Sequence, residues 1–337
     1  MPTLLQDKVF VFAGRPKPSD SELEILQLIA DQENLGPISL AETIKNGENY
    51  DSYKLTIGTQ NFLAKLSLDE KNDFGQESLI LDMFPHLAPR KTARGAIDFG
   101  DSIFYLITEW LDAQSIQELG LSFITNKKES LLECLKKVHE VEAPIKTFQE
   151  YLSELFEKTS FEKHEHFAEL VEQNTENYKL LLQELESAKN NIQKNFKESY
   201  APKTIIHGNL SENTILVGSE GFKIINWENS FCAHPLFELA IAEANFEFGE
   251  SFIYSAIKDS NYSWLEFLEI RGFWADICLL KTVFSFIKET YLYEGKRHKE
   301  MLELSEFFYR NSHRFEKNEV FVRNKNEILK LFNQVAF

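Results

Sequence analysis

Two short segments hold most of the side chains able to do chemistry. One reads His207-Gly-Asn-Leu-Ser-Glu-Asn-Thr-Ile-Leu and the other Phe222-Lys-Ile-Ile-Asn-Trp-Glu. They offer neutral oxygens on Asn209, Asn213, Thr214 and Asn226, and carboxylates on Glu212 and Glu228. A carboxamide has no usable basicity near neutral pH, so Asn209 can position a hydroxyl but cannot take its proton. Magnesium usually takes one or two carboxylates, and here only Glu212 and Glu228 could conceivably hold one ion. Of eight histidines only His207 sits in such a segment; His164 and His166 are two apart on a helical stretch and face different ways. Cys134, Cys232 and Cys278 lie far apart, with no zinc spacing and an odd count for disulfides, which fits a reduced, cytoplasmic setting. Trp264, Phe267, Phe273 and Trp274 could build a cage for a quaternary ammonium, although core packing between helices is the simpler role.

The elements that must position these residues change character along the chain. Residues 19–34 read as a capped helix: Ser-Asp-Ser precedes Leu23, Ile25, Leu26, Leu28 and Ile29, and Gly36 closes it. The pattern then alternates in Tyr53-Lys-Leu-Thr-Ile, turns at Gly58, and resumes in Phe62-Leu-Ala-Lys-Leu-Ser, which predicts a hairpin. Residues 73–84 return to helical spacing, with Leu79, Ile80, Met83 and Phe84 on one side. A second hairpin is predicted around Gly100-Asp, ending near Glu109-Trp-Leu-Asp. From Ser115 helices dominate, including a pair over 148–196. Residues 202–228 are short extended pieces, and helices return from Pro235. A β-rich domain over residues 1–110 and a helical one over 111–337, the latter carrying the 204–228 segment, follow from this order.

The chain has 337 residues, enough for two cores, and its 29 Phe, 11 Tyr and 4 Trp can fill them. The most apolar stretch, 273–287, is broken by Asp276 and Lys281, and the N-terminus lacks a basic region followed by an apolar one, so neither a membrane span nor a secretion signal is expected. The net charge of −17 repels nucleic acid and anionic membranes and favours a cationic small molecule or a basic protein surface, while also keeping an aromatic-rich protein soluble.

The two segments, taken together, resemble the core of the aminoglycoside phosphotransferase and choline kinase family, whose counterparts read His-Gly-Asp-Leu-His-x-x-Asn-Ile-Leu and Ile-Ile-Asp-Trp-Glu. His234-Pro-Leu-Phe-Glu-Leu-Ala is similar to the family's Asp-Pro-x-x-Asp-Leu-Ala. Leu135-Lys-Lys-Val-His-Glu, Leu87-Ala-Pro-Arg and Tyr105-Leu-Ile-Thr-Glu-Trp-Leu fall in the family's order over residues 44–240. The resemblance implies an α+β, two-lobed protein kinase-like fold, with a small β-rich N-terminal lobe and a larger helical C-terminal lobe.

It also implies roles. Lys65 stands where a strand lysine pairs with nucleotide phosphates, and Glu77 where a helix carboxylate holds that lysine. The two are expected to face one another across the cleft between lobes, above Asn209 and Asn226. Glu109 to Leu111 is the hinge whose backbone reads an adenine edge. His207 packs and hydrogen-bonds to stabilise its loop. The departures lie at the reacting positions: Asn209 replaces the catalytic aspartate, Thr214 a metal-holding asparagine, and Asn226 the aspartate that bridges Mg²⁺ to the phosphates. Some choline kinase relatives also carry a carboxylate at the position of Glu228. In the phosphate-covering loop, which follows Ile44, Glu48 and Asp51 stand where relatives favour Gly, Ser and Asn, and would repel a triphosphate. The first expectation is therefore a pseudokinase, a binding or regulatory scaffold for a small molecule or a protein. The second is an ATP- and Mg²⁺-dependent phosphotransferase with an atypical site, acting on a hydroxyl- or amine-bearing metabolite.

Overall fold

Residues 17–46, 50–160, 176–201, 204–219, 221–246, 248–258 and 260–292 are described by a computed structural model of the protein. Glu48, His164 and His166 lie outside the described residues. The chain divides into two units, 1–114 with 216–228, and 115–215 with 229–337. Sequence order alone assigns 204–228 to the second part; in the structure residues 216–228 group with the first.

The first unit is an antiparallel sheet with two helices. Its strands are β1 (Ile38–Asn46), β2 (Asp51–Ile57), β3 (Gln60–Ser67), β4 (Lys91–Asp98) and β5 (Ser102–Glu109), in the spatial order β1-β2-β3-β5-β4. Gly58, at φ 59°, makes the tight turn between β2 and β3, where Tyr53 pairs with Ala64 and Ser52 with Lys65. Helix α1 (Asp20–Gln32) starts at a Ser19–Glu22 capping box and buries Leu26, Ile29 and Ala30 on the core formed by Tyr53, Leu55, Ala64, Tyr105 and Ile107.

One strand goes unpredicted and one local expectation is corrected. β1 carries register shifts between Ile38 and Leu40 and again between Thr43 and Lys45, and such bulges break the alternation that marks a strand. Leu40 consequently points out, 49% exposed, while Ala41 points in. Helix α2 (Gly75–Met83) buries Glu77, Ser78, Ile80 and Leu81, and Leu79 lies on its outer side. The inward face is set by a carboxylate at Glu77, which an apolar pattern does not register.

The second unit is mostly helical. Lys128–His139 buries Leu131, Leu132, Leu135 and Val138, and Phe148–Lys158 begins at a Thr147–Glu150 capping box. Glu176–Asn195, Leu236–Phe246 and the long helix Trp264–Leu292 pack together. Their core is aromatic: Phe148 stacks on Phe231 at 5.5 Å and meets Phe237 at 4.8 Å, and Phe273 joins Phe148, Tyr200 and Phe237. No helix among the described residues is long and apolar enough to cross a membrane.

Candidate functional site

In the first unit, one lysine collects oxygens from two parts of the chain and an aromatic ring from a third. Lys65 points inward from β3 and is 4% exposed. Its Nζ donates to Glu77 Oε1 at 2.9 Å and Oε2 at 3.0 Å. It also reaches Asn226 Oδ1 and Glu228 Oε2, both at 3.4 Å. Tyr50 covers what is left, with its ring centroid 4.7 Å from Nζ and its hydroxyl donating to Glu228 Oε1 at 3.1 Å. Burial would push the Lys65 ammonium down in pKa, but Glu77 and Glu228 outweigh it and hold the lysine above its ordinary range. Burial likewise pushes the Tyr50 phenol up, and its bond to Glu228 adds to this, so it stays a neutral donor.

The backbone around residues 222–228 is built to deliver these groups. Ile224 N–H donates to Leu87 O at 2.7 Å, and Lys223 Nζ lies within 3.4 Å of Pro85 O and Ala88 O. Trp227 is fully buried, stacks on Phe84 at 5.8 Å and donates its indole N–H to Ile224 O at 2.8 Å, while its backbone N–H donates to Glu77. Asn226 adopts φ 64°, a left-handed conformation that asparagine and aspartate tolerate better than most residues. Lys65 and Glu77 thus meet inside one unit, as a buried pair, rather than across a cleft between lobes.

Asn209, His207 and Thr214 share one loop of the second unit. The strand Ile205–Ile206 pairs with Phe231–Cys232 and leads into fully buried His207, whose Nδ1 accepts the Asn209 N–H at 3.3 Å. Gly208, at φ 74°, has no room for a side chain: a Cβ would lie 2.7 Å from Phe231 and 2.9 Å from Asn229 O. The N–H groups of His207 and Gly208 both donate to the Glu238 carboxylate. Glu238 is fully buried, and burial pushes its pKa up to about 8. Thr214 is buried too; its hydroxyl accepts from Ser211 N–H at 2.8 Å and lies 3.1 Å from Ser211 O. Asn209 is exposed and Glu212 half-buried. No group of three or more His, Cys, Asp or Glu side chains suited to a metal occurs among the described residues.

Residues 41–268, more than half of the chain, match the model of the phosphotransferase enzyme family named APH. The chain belongs to this family. The fold agrees with solved structures of phosphotransferases at low identity. A thermostable mutant of aminoglycoside phosphotransferase APH(4)-Ia in its apo form superposes with a TM-score of 0.59 at 10% identity, over 86% of this chain and 99% of that one. Spectinomycin phosphotransferase APH(9)-Ia, solved with ADP and spectinomycin, gives 0.57 at 14% identity over 89% and 98%. Choline kinase LicA from Streptococcus pneumoniae gives 0.56 at 14% identity over 86% and 99%. The architecture is therefore the α+β, kinase-like fold of this phosphotransferase family. No curated protein sequence matches the chain.

Glu109 ends β5; its N–H donates to Arg90 O at 2.9 Å and its carboxylate accepts from Arg90 N–H at 2.8 Å. Trp110 N–H donates to Asn61 O at 3.1 Å, and half-buried Leu111 lies just past the strand. The aromatic cluster does not gather into a cage. Trp264 pairs with Phe267 and Tyr254, whereas Phe273 and Trp274 pack on Phe237. The family motifs do not single out Tyr50. Glu238 was visible only as one member of the His234–Ala240 motif.

Proposed function

We propose that this phosphotransferase-family protein is a non-catalytic member, a pseudokinase that binds a ligand or partner without transferring phosphate. The observation that carries this reading is the state of Lys65, already neutralised by Glu77 and Glu228, with the neutral Asn226 where a metal-bridging aspartate is expected. A nucleotide phosphate arriving at this lysine would meet a second carboxylate within 3.4 Å of the ammonium. Asn209 supplies no base for an acceptor hydroxyl, and Thr214 spends its hydroxyl on its own loop. Any reading of an adenine edge by strand-end N–H groups would fall to Leu111, because those of Glu109 and Trp110 are committed within the unit. The acidic charge favours a cationic small molecule or a basic protein surface as the bound species, and a cytoplasmic setting goes with three cysteines that are far apart in the sequence.

A second reading keeps the enzyme. The Lys65–Glu77 contact is assembled as phosphoryl transfer requires, and Glu228 is a carboxylate two residues from Asn226 that could help hold Mg²⁺ for an ATP-dependent transfer to a hydroxyl. One experiment separates the two. Melting is followed with and without millimolar ATP and Mg²⁺, and ADP release is assayed with choline, hygromycin B and spectinomycin as trial acceptors. A ligand at a hundred times its Kd adds about 2.7 kcal/mol of stability. The expected result is no metal-dependent shift and no turnover. A shift that needs Mg²⁺, disappears in Asn226→Ala and accompanies ADP release would establish the enzyme instead.

A further inference from the structure

The non-catalytic reading leaves open why an assembled Lys65–Glu77 pair should be idle. The contacts around the ammonium supply a physical reason. Lys65 Nζ has three hydrogen atoms to donate. Two oxygens of Glu77 lie at 2.9 and 3.0 Å. Asn226 Oδ1 and Glu228 Oε2 follow, each at 3.4 Å. The Tyr50 ring lies over the ammonium. With Lys65 only 4% exposed, the ammonium is surrounded by the chain's own atoms rather than by solvent.

The arrangement is held from both ends. Tyr50 is fixed by its hydroxyl bond to Glu228 Oε1 and by edge contact with Phe74 at 5.9 Å. Phe74 is itself anchored in the left-handed residue, φ 59°, that opens α2. Glu228 is carried by the short turn Trp227–Asn229, whose first residue is locked by its stacking on Phe84 and its bond to Ile224. Glu228 retains 26% exposure, so it sits at the edge of the cluster where it can leave, whereas Glu77 is 4% exposed. A carboxylate and a phosphate oxygen compete for an ammonium by the same charge-assisted hydrogen bonds.

We propose that Glu228, latched by Tyr50, is an internal stand-in for the phosphate of a nucleoside polyphosphate on Lys65, so that the site is closed by the chain itself rather than lost. This rests on the non-catalytic reading above but makes a separate claim. The Lys65 position keeps its capacity for polyphosphate and exposes it once the Glu228–Tyr50 contact opens.

The test uses the full-length protein without metal, so that it does not depend on a catalytic or metal-binding centre. Binding of ADP and of inorganic tripolyphosphate is measured by calorimetry for wild type, Glu228→Ala, Glu228→Gln and Tyr50→Phe, each checked for a cooperative melt. Removing the competing charge should tighten both ligands by at least about tenfold in Kd. Glu228→Gln keeps the shape and loses the charge, so it should gain nearly as much as Glu228→Ala. Tyr50→Phe removes only the latch hydroxyl and should gain about threefold, a result still readable if the Glu228 variants melt without cooperativity. The proposal is overturned if wild type already binds tripolyphosphate as tightly as the variants, or if folded variants show no gain. Turnover by wild type with Mg²⁺ would instead overturn the non-catalytic reading, which this comparison does not touch.

Discussion

Glu238 holds a proton more tightly in the folded protein than in the unfolded chain, because burial raises its pKa to about 8 from an ordinary value of 4.5. The sign of the linkage follows: its favourable contribution is complete below pH 4.5 and is lost as pH rises towards 8. Glu238→Gln keeps an oxygen for the His207 and Gly208 N–H groups and carries no charge at any pH. Urea denaturation between pH 5 and 9 should show the variant overtaking wild type as pH rises, by an amount on the order of several kcal/mol. Parallel curves would show that Glu238 stays ionised in the fold. At Asn226 the backbone already suits aspartate, so Asn226→Asp should fold normally, but a third carboxylate on a lysine already paired with Glu77 and Glu228 should lower the melting temperature in the absence of a cation. Thr214→Asn should cost about 1–3 kcal/mol in thermal or chemical melts, because it removes a buried hydroxyl that ties Ser211 into its loop. The motif comparison makes the two substitutions look equally harmless; the contacts at each site say otherwise.

Among elements, the hairpins β2–β3 and β4–β5 were legible because alternation and a Gly turn agree. Strand β1 was hidden by its two bulges, and the face of α2 by a buried carboxylate. The contact of Lys65 with Glu77 follows from family order, whereas Tyr50 on Lys65 is a tertiary contact that leaves no periodic trace. The paired strands β4 and β5 contain a further dependence of this kind. Gly95 lies opposite Tyr105, and a Cβ there would come within 2.5 Å of the tyrosine hydroxyl. That hydroxyl bonds Glu33 and accepts from Gln32 at 2.8 Å, tying the sheet to the end of α1. Gly95→Ala should therefore destabilise by about 1–3 kcal/mol. Gly272, inside the helix Trp264–Leu292, has nothing within 4 Å of an added Cβ. Gly272→Ala should stabilise by about 0.5–1 kcal/mol, and denaturant melts of the two variants check both signs.

For the whole molecule, a net charge of −17 is a self-repulsion that folding must overcome. Raising ionic strength shortens the reach of that repulsion to about 10 Å at 0.1 M. The melting temperature should accordingly rise between 10 and 150 mM NaCl, and scanning calorimetry over that range measures it. A fall would mean that attractive pairs such as Lys91–Asp82 and Arg94–Asp73 outweigh the excess of acidic groups.

The return of residues 216–228 to the first unit also has a consequence in time. Asn226 and Glu228 lie 161 and 163 residues after Lys65. At a synthesis rate of about 5–20 residues per second, Lys65 leaves the ribosome roughly 8–30 seconds before either partner exists. Through that interval the nascent sheet has Glu77 for its buried ammonium but lacks Trp227 to pack on Phe84 and Glu228 to cap the cluster. The first unit to be started therefore stays incomplete until residues 216–228 have been made, after the whole of 115–215.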